Sequence, residues 1–196
     1  MEISILITFA AGLINVLGFV IYNWQASKST VTPNLASWGI WAGVTIVNFT
    51  SYHSMSGDWA KSLLPAISSA LCILTFLLIL TKGGKILEMS KFDVVSLMIG
   101  FLSVVAWRLF RSATFANLII QFAIILGFIP TLRAVIVDPR KEHPLPWFVW
   151  TVSYTLFVAV VLLRWTNHWQ DLVYPAIGII SFLLITLLSK RSSIAR

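Results

Sequence analysis

The residues of this chain that can do chemistry are mostly uncharged and lie inside apolar runs. They are Asn15, Asn48, Asn117, Gln121 and Tyr154, together with Trp41 and Trp150. Amides and a phenol donate and accept hydrogen bonds, and an indole offers a flat face for stacking. Such a set suits binding a solute rather than breaking bonds. It is not accompanied by a Gly-rich phosphate loop, a spaced His/Glu metal motif, or a Ser or Cys with His and Asp partners at one depth. The three histidines are scattered, so neither a metal site nor a cofactor is expected. Cys72 has no second cysteine to pair with. A retinal-type Schiff base needs a lysine deep in the last apolar run, whereas Lys190 stands at its end. The expectation is a protein that is not an enzyme.

Spacing places several of these residues on common helix faces. Asn48 follows Trp41 by seven positions, Gln121 follows Asn117 by four, and Tyr154 follows Trp150 by four. An unpaired amide in a bilayer core costs several kcal/mol, so each must face either a cavity or a neighbouring helix. A hydrogen bond between helices is worth only about 0.6 kcal/mol on average. Both uses stay open at this stage.

The elements that must position these residues follow from composition. The chain has 196 residues, of which 58% are hydrophobic and 11% charged, with a mean hydropathy of +0.90. A soluble domain carries roughly 25% charge, so this chain cannot coat an ordinary water-facing surface. Its apolar runs are continuous rather than alternating, which excludes a membrane β-barrel. A spanning helix takes about 20 apolar residues. Seven runs of that kind are predicted, over 3–24, 35–55, 62–81, 92–110, 113–134, 146–164 and 172–189. The breaks carry turn chemistry, such as Ser56-Gly57-Asp58 and Asp138-Pro139-Arg140-Lys141-Glu142-His143-Pro144. The first run opens with Glu2 and lacks a basic start, so it is expected to stay as a helix rather than be cleaved as a signal.

The net charge of +7 comes from short clusters at the ends of the runs. No basic stripe with exposed aromatics exists, so no nucleic-acid partner is expected. With the N-terminus outside, ten of the fourteen Lys and Arg fall on the inner side. Only Lys61, Arg108, Arg111 and Arg164 fall on the outer side. That asymmetry predicts the N-terminus outside and the C-terminus cytoplasmic. Trp24, Trp59, Trp107, Trp165 and Trp169 stand at span ends, and Trp38 and Trp147 near span starts. All seven are expected in the aromatic belts at the membrane surfaces. Every charged residue also lies near a span end, which points to a neutral or weakly charged solute moving down its gradient.

An internal repeat runs through the chain. Pro33 leads into Trp38-Gly39-Ile40-Trp41, and Pro144 leads into Trp147-Phe148-Val149-Trp150. Each pair is followed at nearly equal distance by another tryptophan, Trp59 or Trp169, and then by Pro65-Ala66-Ile67 or Pro175-Ala176-Ile177. The pattern predicts a three-helix unit used twice, over 1–91 and 113–196, with 92–112 as a linker helix. Three crossings are an odd number, so the linker restores the direction and makes the repeats parallel.

This three-plus-one-plus-three layout resembles the SWEET sugar transporters and the wider PQ-loop group. Lys28-Ser29-Thr30 after the first span is similar to the Lys-Ser-Thr segment of SWEETs, and Gly127-Phe128-Ile129-Pro130-Thr131 to their Pro-Thr helix-breaking step. SWEETs carry a proline in each mobile span and an Asn in the third and last spans. Here the first span has no proline, and the third and last offer only Ser68, Ser69 and Ser181. The Trp-x-x-Trp pair equally resembles that of the bacterial nicotinamide riboside transporters. The resemblance implies an integral protein of the bacterial inner membrane that moves a small polar solute by alternating access. A sugar is the first expectation and a nucleoside-like vitamin precursor the second. Trp41 and Trp150 would stack a ring, and Pro130 would serve as a hinge. The expected partners are that solute and the lipid bilayer, with a homo-oligomer left open. The alternative is a receptor or scaffold whose polar residues only join helices.

Overall fold

The computed structural model describes residues 2–81, 95, 98, 102, 105 and 108–194, and among these there is no strand. Six long helices are described: α1 (Glu2–Ser27), α2 (Leu35–Ser56), α3 (Trp59–Thr81), α4 (Ala113–Val137), α5 (Pro144–Leu163) and α6 (Val173–Ile194). Five segments are long and apolar enough to cross a membrane, namely α1, α3, α4, α5 and Trp169–Arg191. The chain is therefore an integral membrane protein. The predicted linker over 92–112 lies largely outside the described residues; Val95, Met98, Leu102, Val105 and Arg108–Phe110 within it are helical.

Local chemistry sets the helix ends. Helix α1 stops in a Schellman turn: Ser29 adopts φ 58°, the Thr30 amide donates to Gln25 O (3.1 Å) and the Ser29 amide to Ala26 O (3.3 Å). The Lys28-Ser29-Thr30 segment is thus a helix stop. Asn34 caps α2 by accepting from the Ser37 amide, and Gly57 closes it at φ 63°. Ser112 caps α4, and His143 caps α5 ahead of Pro144 in its first turn.

The packing follows a simple scheme. Helix α3 contacts both α1 and α2, and α6 contacts both α4 and α5. Across these two groups, α1 packs along α5 and α2 along α4. The end of the bundle where α1 begins is called proximal and the other distal. Helix α3 finishes distally. Asn117, near the start of α4, meets Asn48 and Ser51 toward the proximal end of α2, and Thr131 meets Ser37 distally.

Two ion pairs tie the proximal end. Lys61 and Asp171 are fully buried and 2.7 Å apart, with Lys61 also donating to Thr166 Oγ1 at 3.3 Å. Arg164 holds Asp58 at 2.6 Å and reaches Ser4 Oγ at 3.1 Å. Burial works upward on Asp58, but hydrogen bonds from Arg164 and the Ala60 amide outweigh it, so its carboxyl titrates below the usual range. These charges were expected at span ends, yet Lys61 and Asp171 point inward between helices rather than to water.

Removing one member of a buried pair strands the other, at a cost of about 3–5 kcal/mol. Lys61→Met should therefore lower stability in detergent by that order. Lys61→Met with Asp171→Leu should recover most of the loss, as read by unfolding monitored with tryptophan fluorescence.

Candidate functional site

At the centre of the bundle lies a cavity of about 50 Å³. Its walls are almost wholly apolar, formed by Phe19, Trp38, Trp41, Phe128, Trp147, Trp150, Tyr154, Tyr174 and Phe182 among others. Asn15, Thr45 and Ser68 supply polar atoms, and Cys72 lines it from α3.

Four indoles make its heart. Trp38 and Trp41 meet edge-on with centroids 5.2 Å apart, and Trp147 and Trp150 do so at 5.1 Å. Trp38 lies 6.3 Å from Trp150, and Trp41 lies 6.3 Å from Trp147. Phe19 on α1 packs against Trp150 at 4.9 Å, and Phe128 on α4 against Trp41 at 4.7 Å. Each deep indole also lies against a glycine of the facing helix. A Cβ on Gly127 would stand 2.8 Å from Trp41 Nε1, and one on Gly18 would overlap Trp150 Nε1. Those two glycines let the indoles seat against the helix backbone.

Trp38 and Trp147 are buried, at 2% and 1% exposure, and line the cavity. The expected place in the surface belt is corrected for both. The 138–143 turn closes over them, because Glu142 accepts from Trp147 Nε1 (3.1 Å) and the Lys141 carbonyl accepts from the Thr32 amide (2.8 Å). Trp24, Trp59, Trp165 and Trp169 are exposed, in keeping with the belt assignment. Trp107 falls outside the described residues.

The proposed solute ligands divide into two groups. Trp41, Trp150, Asn15 and Tyr154 come together around the cavity. Trp150 Nε1 donates to the Asn15 carbonyl (3.2 Å), and Asn15 Oδ1 accepts from Ser68 Oγ (3.4 Å). Tyr154 hydrogen-bonds the Tyr174 hydroxyl and lies 3.4 Å from Ser68 Oγ. Asn48, Asn117 and Gln121 do not line the cavity; they join α2 to α4. Asn48 Oδ1 accepts from Asn117 Nδ2 (3.2 Å) and Gln121 Nε2 (2.8 Å), and Asn117 also donates to Ser51 Oγ (3.0 Å). Pro130 lies within α4, which continues through it to Val137.

Sequence reasoning missed Glu142. Assigned to a polar loop, it is only 4% exposed. Its Oε1 accepts from the Tyr22 hydroxyl (3.1 Å) and its Oε2 from Trp147 Nε1 (3.1 Å), while Tyr22 accepts from Trp38 Nε1 (3.0 Å). Burial pushes its carboxyl up to about 8, against the lowering effect of those two donors. The signal available in the sequence was its position two residues before Pro144, where a chain turning into a helix folds side chains back over the bundle end. The proximal end carries a wider cleft of about 420 Å³, lined by Ser4, Asp58, Arg164, Trp165 and Thr166 among others.

No protein-family model matches the chain, and neither do any curated proteins or solved structures.

The two groups of polar residues predict different phenotypes. Asn48→Val removes the acceptor that Asn117 and Gln121 share, though Asn117 keeps Ser51 and Gln121 keeps Asn117, and should cost about 1 kcal/mol of stability while leaving the cavity wall intact. On the expectation that the cavity takes a solute, Asn15→Val and Tyr154→Phe should raise KM. Thermal unfolding and uptake measured on the same preparations separate the two effects.

Proposed function

We propose that the protein is a facilitative transporter of a small ring-containing solute, working by alternating access between two three-helix units. The units are α1–α3 and α4–α6, with a fourth span over 92–112 returning the chain across the membrane. The N-terminus faces outside and the C-terminus the cytoplasm of a bacterial inner membrane.

The observation that carries this proposal is the reciprocal seating of the deep indoles. When Trp38-x-x-Trp41 is laid on Trp147-x-x-Trp150 at equal spacing, Gly18 falls on Gly127 and Phe19 on Phe128. Trp150 of the second unit packs on Gly18 and Phe19 of the first, and Trp41 of the first packs on Gly127 and Phe128 of the second. Such an exchange is what a two-fold axis along the membrane normal produces. Helix packing agrees, since α1 and α2 meet α5 and α4 in the same crossed fashion. Helix α3 finishes distally and α4 starts proximally, which suits one crossing between them.

The cavity supports the choice of solute. About 50 Å³ holds one or two waters, each taking about 30 Å³, whereas pockets for small ligands begin near 300 Å³. In this conformation the cavity is therefore too small for such a solute, which would enter only when the indoles part. A sugar needs hydrogen-bond partners around its rim, and these walls offer few. A flat ring, as in a nucleoside-like solute, gains from stacking on indoles. The favoured order of the two solute classes is thus nucleoside-like first and sugar second. A scaffold role accounts for the amide cluster between α2 and α4 but leaves the aromatic cavity without a purpose.

Uptake of labelled nucleosides and sugars into proteoliposomes tests the proposal. Trp41→Ala with Trp150→Ala should abolish uptake; a double variant that transports normally rejects the stacking site. Pro130→Ala should slow transport without changing KM, and an unchanged rate would make the proline a static feature of α4.

A further inference from the structure

The chain buries two carboxylates in contrasting surroundings. Asp171, at the proximal end, has Lys61 at 2.7 Å. Glu142, at the distal end, has no Lys or Arg paired with it among the described residues. Its two oxygens meet only neutral donors, the Tyr22 hydroxyl and the Trp147 indole N–H. Through Tyr22 it is linked to Trp38 as well, so one carboxyl group joins both indoles that line the distal side of the cavity.

We propose that Glu142 is a proton-binding site built into the distal closure, holding a proton while the closure is shut and giving it to water when the closure parts. The proposal rests on the transporter reading, since it needs a bundle that opens.

The argument is one of linkage. An ionised carboxylate in an apolar setting, held by neutral donors alone, is costly, and the cheapest remedy is a proton. In the shut form burial raises the carboxyl from its ordinary value to about 8. Opening exposes it to water and returns it toward the ordinary value. A site that binds its ligand more tightly in one state shifts the population toward that state. Protons therefore favour the shut form, and rising pH through about 8 favours the parted form. In the turn that carries Glu142, Asp138 pairs with Arg140 at 3.1 Å. Tyr22 faces Glu142 from α1, and Lys141 and His143 flank it in the chain. The 139–141 turn packs against α4 and α6, whose distal ends carry Arg133 and Lys190 with Arg191. Trp38 of α2 and Trp147 of α5 are neutral. Among the described residues no ion pair joins a basic group to Glu142.

Cys72 supplies a native reporter, because it lines the cavity and is the only cysteine in the chain. The rate at which a small water-soluble methanethiosulfonate labels it would be measured in liposomes between about pH 6 and about pH 9, for the wild type and for Glu142→Gln. The amide mimics the protonated carboxyl and should stay shut throughout, so the ratio of the two rates cancels the ionisation of the thiol itself. The ratio should be near one at the acid end and rise roughly tenfold at the alkaline end. A ratio that stays flat overturns the proposal.

Infrared difference spectroscopy of the wild type needs no variant. A carboxylic-acid C=O band should be present at the acid end and disappear with a midpoint near 8. Its absence at the acid end overturns the proposal even if Glu142→Gln fails to fold. Tyr22→Phe removes one donor to the charged form and should move the midpoint upward; an unmoved midpoint counts against the proposal equally. Uptake measured in parallel keeps the two claims apart. Cys72 labelling gated by pH, with no uptake of any solute, ends the transporter reading and leaves the proton site. Uptake with no pH gating ends the proton site alone.

Discussion

Four indoles packed at the centre of a helical bundle impose a steric demand that the rest of the structure answers. An indole is too large to sit between two helices that both carry side chains at the contact. Trp41 and Trp150 are accommodated because the facing helices offer Gly127 and Gly18. The same close approach brings Phe128 and Phe19 against them and sets α2 on α4 and α1 on α5. Overpacking a tight core by even one methyl group costs about 1–3 kcal/mol, so the glycines and indoles are mutually dependent. They also keep the centre aromatic and nearly free of polar atoms, which confines hydrogen bonding to its edges.

At those edges the two ends of the bundle are held by different chemistry. The proximal end uses opposite charges, Lys61 with Asp171 and Arg164 with Asp58. Lys61 stands two residues after Trp59, and Asp171 two residues after Trp169. In the two-fold reading, matched positions therefore meet near the axis and satisfy each other by differing in sign. Identical residues there would repel. The distal end has an exposed Asp138–Arg140 pair, but the carboxyl buried over the indoles, Glu142, meets neutral donors. An ion pair keeps its charges over a wide pH range, whereas a lone buried carboxyl does not. A two-fold axis along the membrane normal maps each end onto itself, so it leaves the two ends free to use different chemistry.

The helices were readable in the sequence because a bilayer leaves few alternatives for a continuous apolar run. The bounds predicted over 35–55 match the helix Leu35–Ser56 closely, since Pro33 and Asn34 mark a cap and Gly57 a stop, although this helix is not among the five segments apolar enough to cross a membrane. The shared face of Asn117 and Gln121 was equally legible, as both reach Asn48. What periodicity could not decide was which way a residue near a span end turns. Trp38 and Trp147 have the composition and depth of belt residues. They are interior because the 138–143 turn is drawn over them by Glu142 and by the Thr32–Lys141 backbone hydrogen bond. Lys61, Asp171 and Glu142 were hidden for the same reason. A charge beside a loop reads as solvated until a partner on a distant segment is known, and these partners lie on other helices.

The division among the deep polar residues has a physical basis too. An amide carries two donors and an acceptor, and in hydrocarbon it seeks several partners at once. Asn117 and the Gln121 amino group find them at Asn48 Oδ1 and Ser51, which ties α2 to α4, whereas Asn48 Nδ2 and Gln121 Oε1 have no hydrogen-bond partner among the described residues. A phenol or hydroxyl needs fewer partners. Tyr154, Tyr174 and Ser68 satisfy each other along one wall, leaving the ring faces turned to the cavity. Asn15 is the exception among the amides, because its backbone carbonyl receives Trp150 and its side chain receives only Ser68, at the long distance of 3.4 Å. In the transporter proposed above, a weakly engaged amide beside a wall of rings suits a flat solute with one polar edge: the rings would hold its face, and the amide would read its rim.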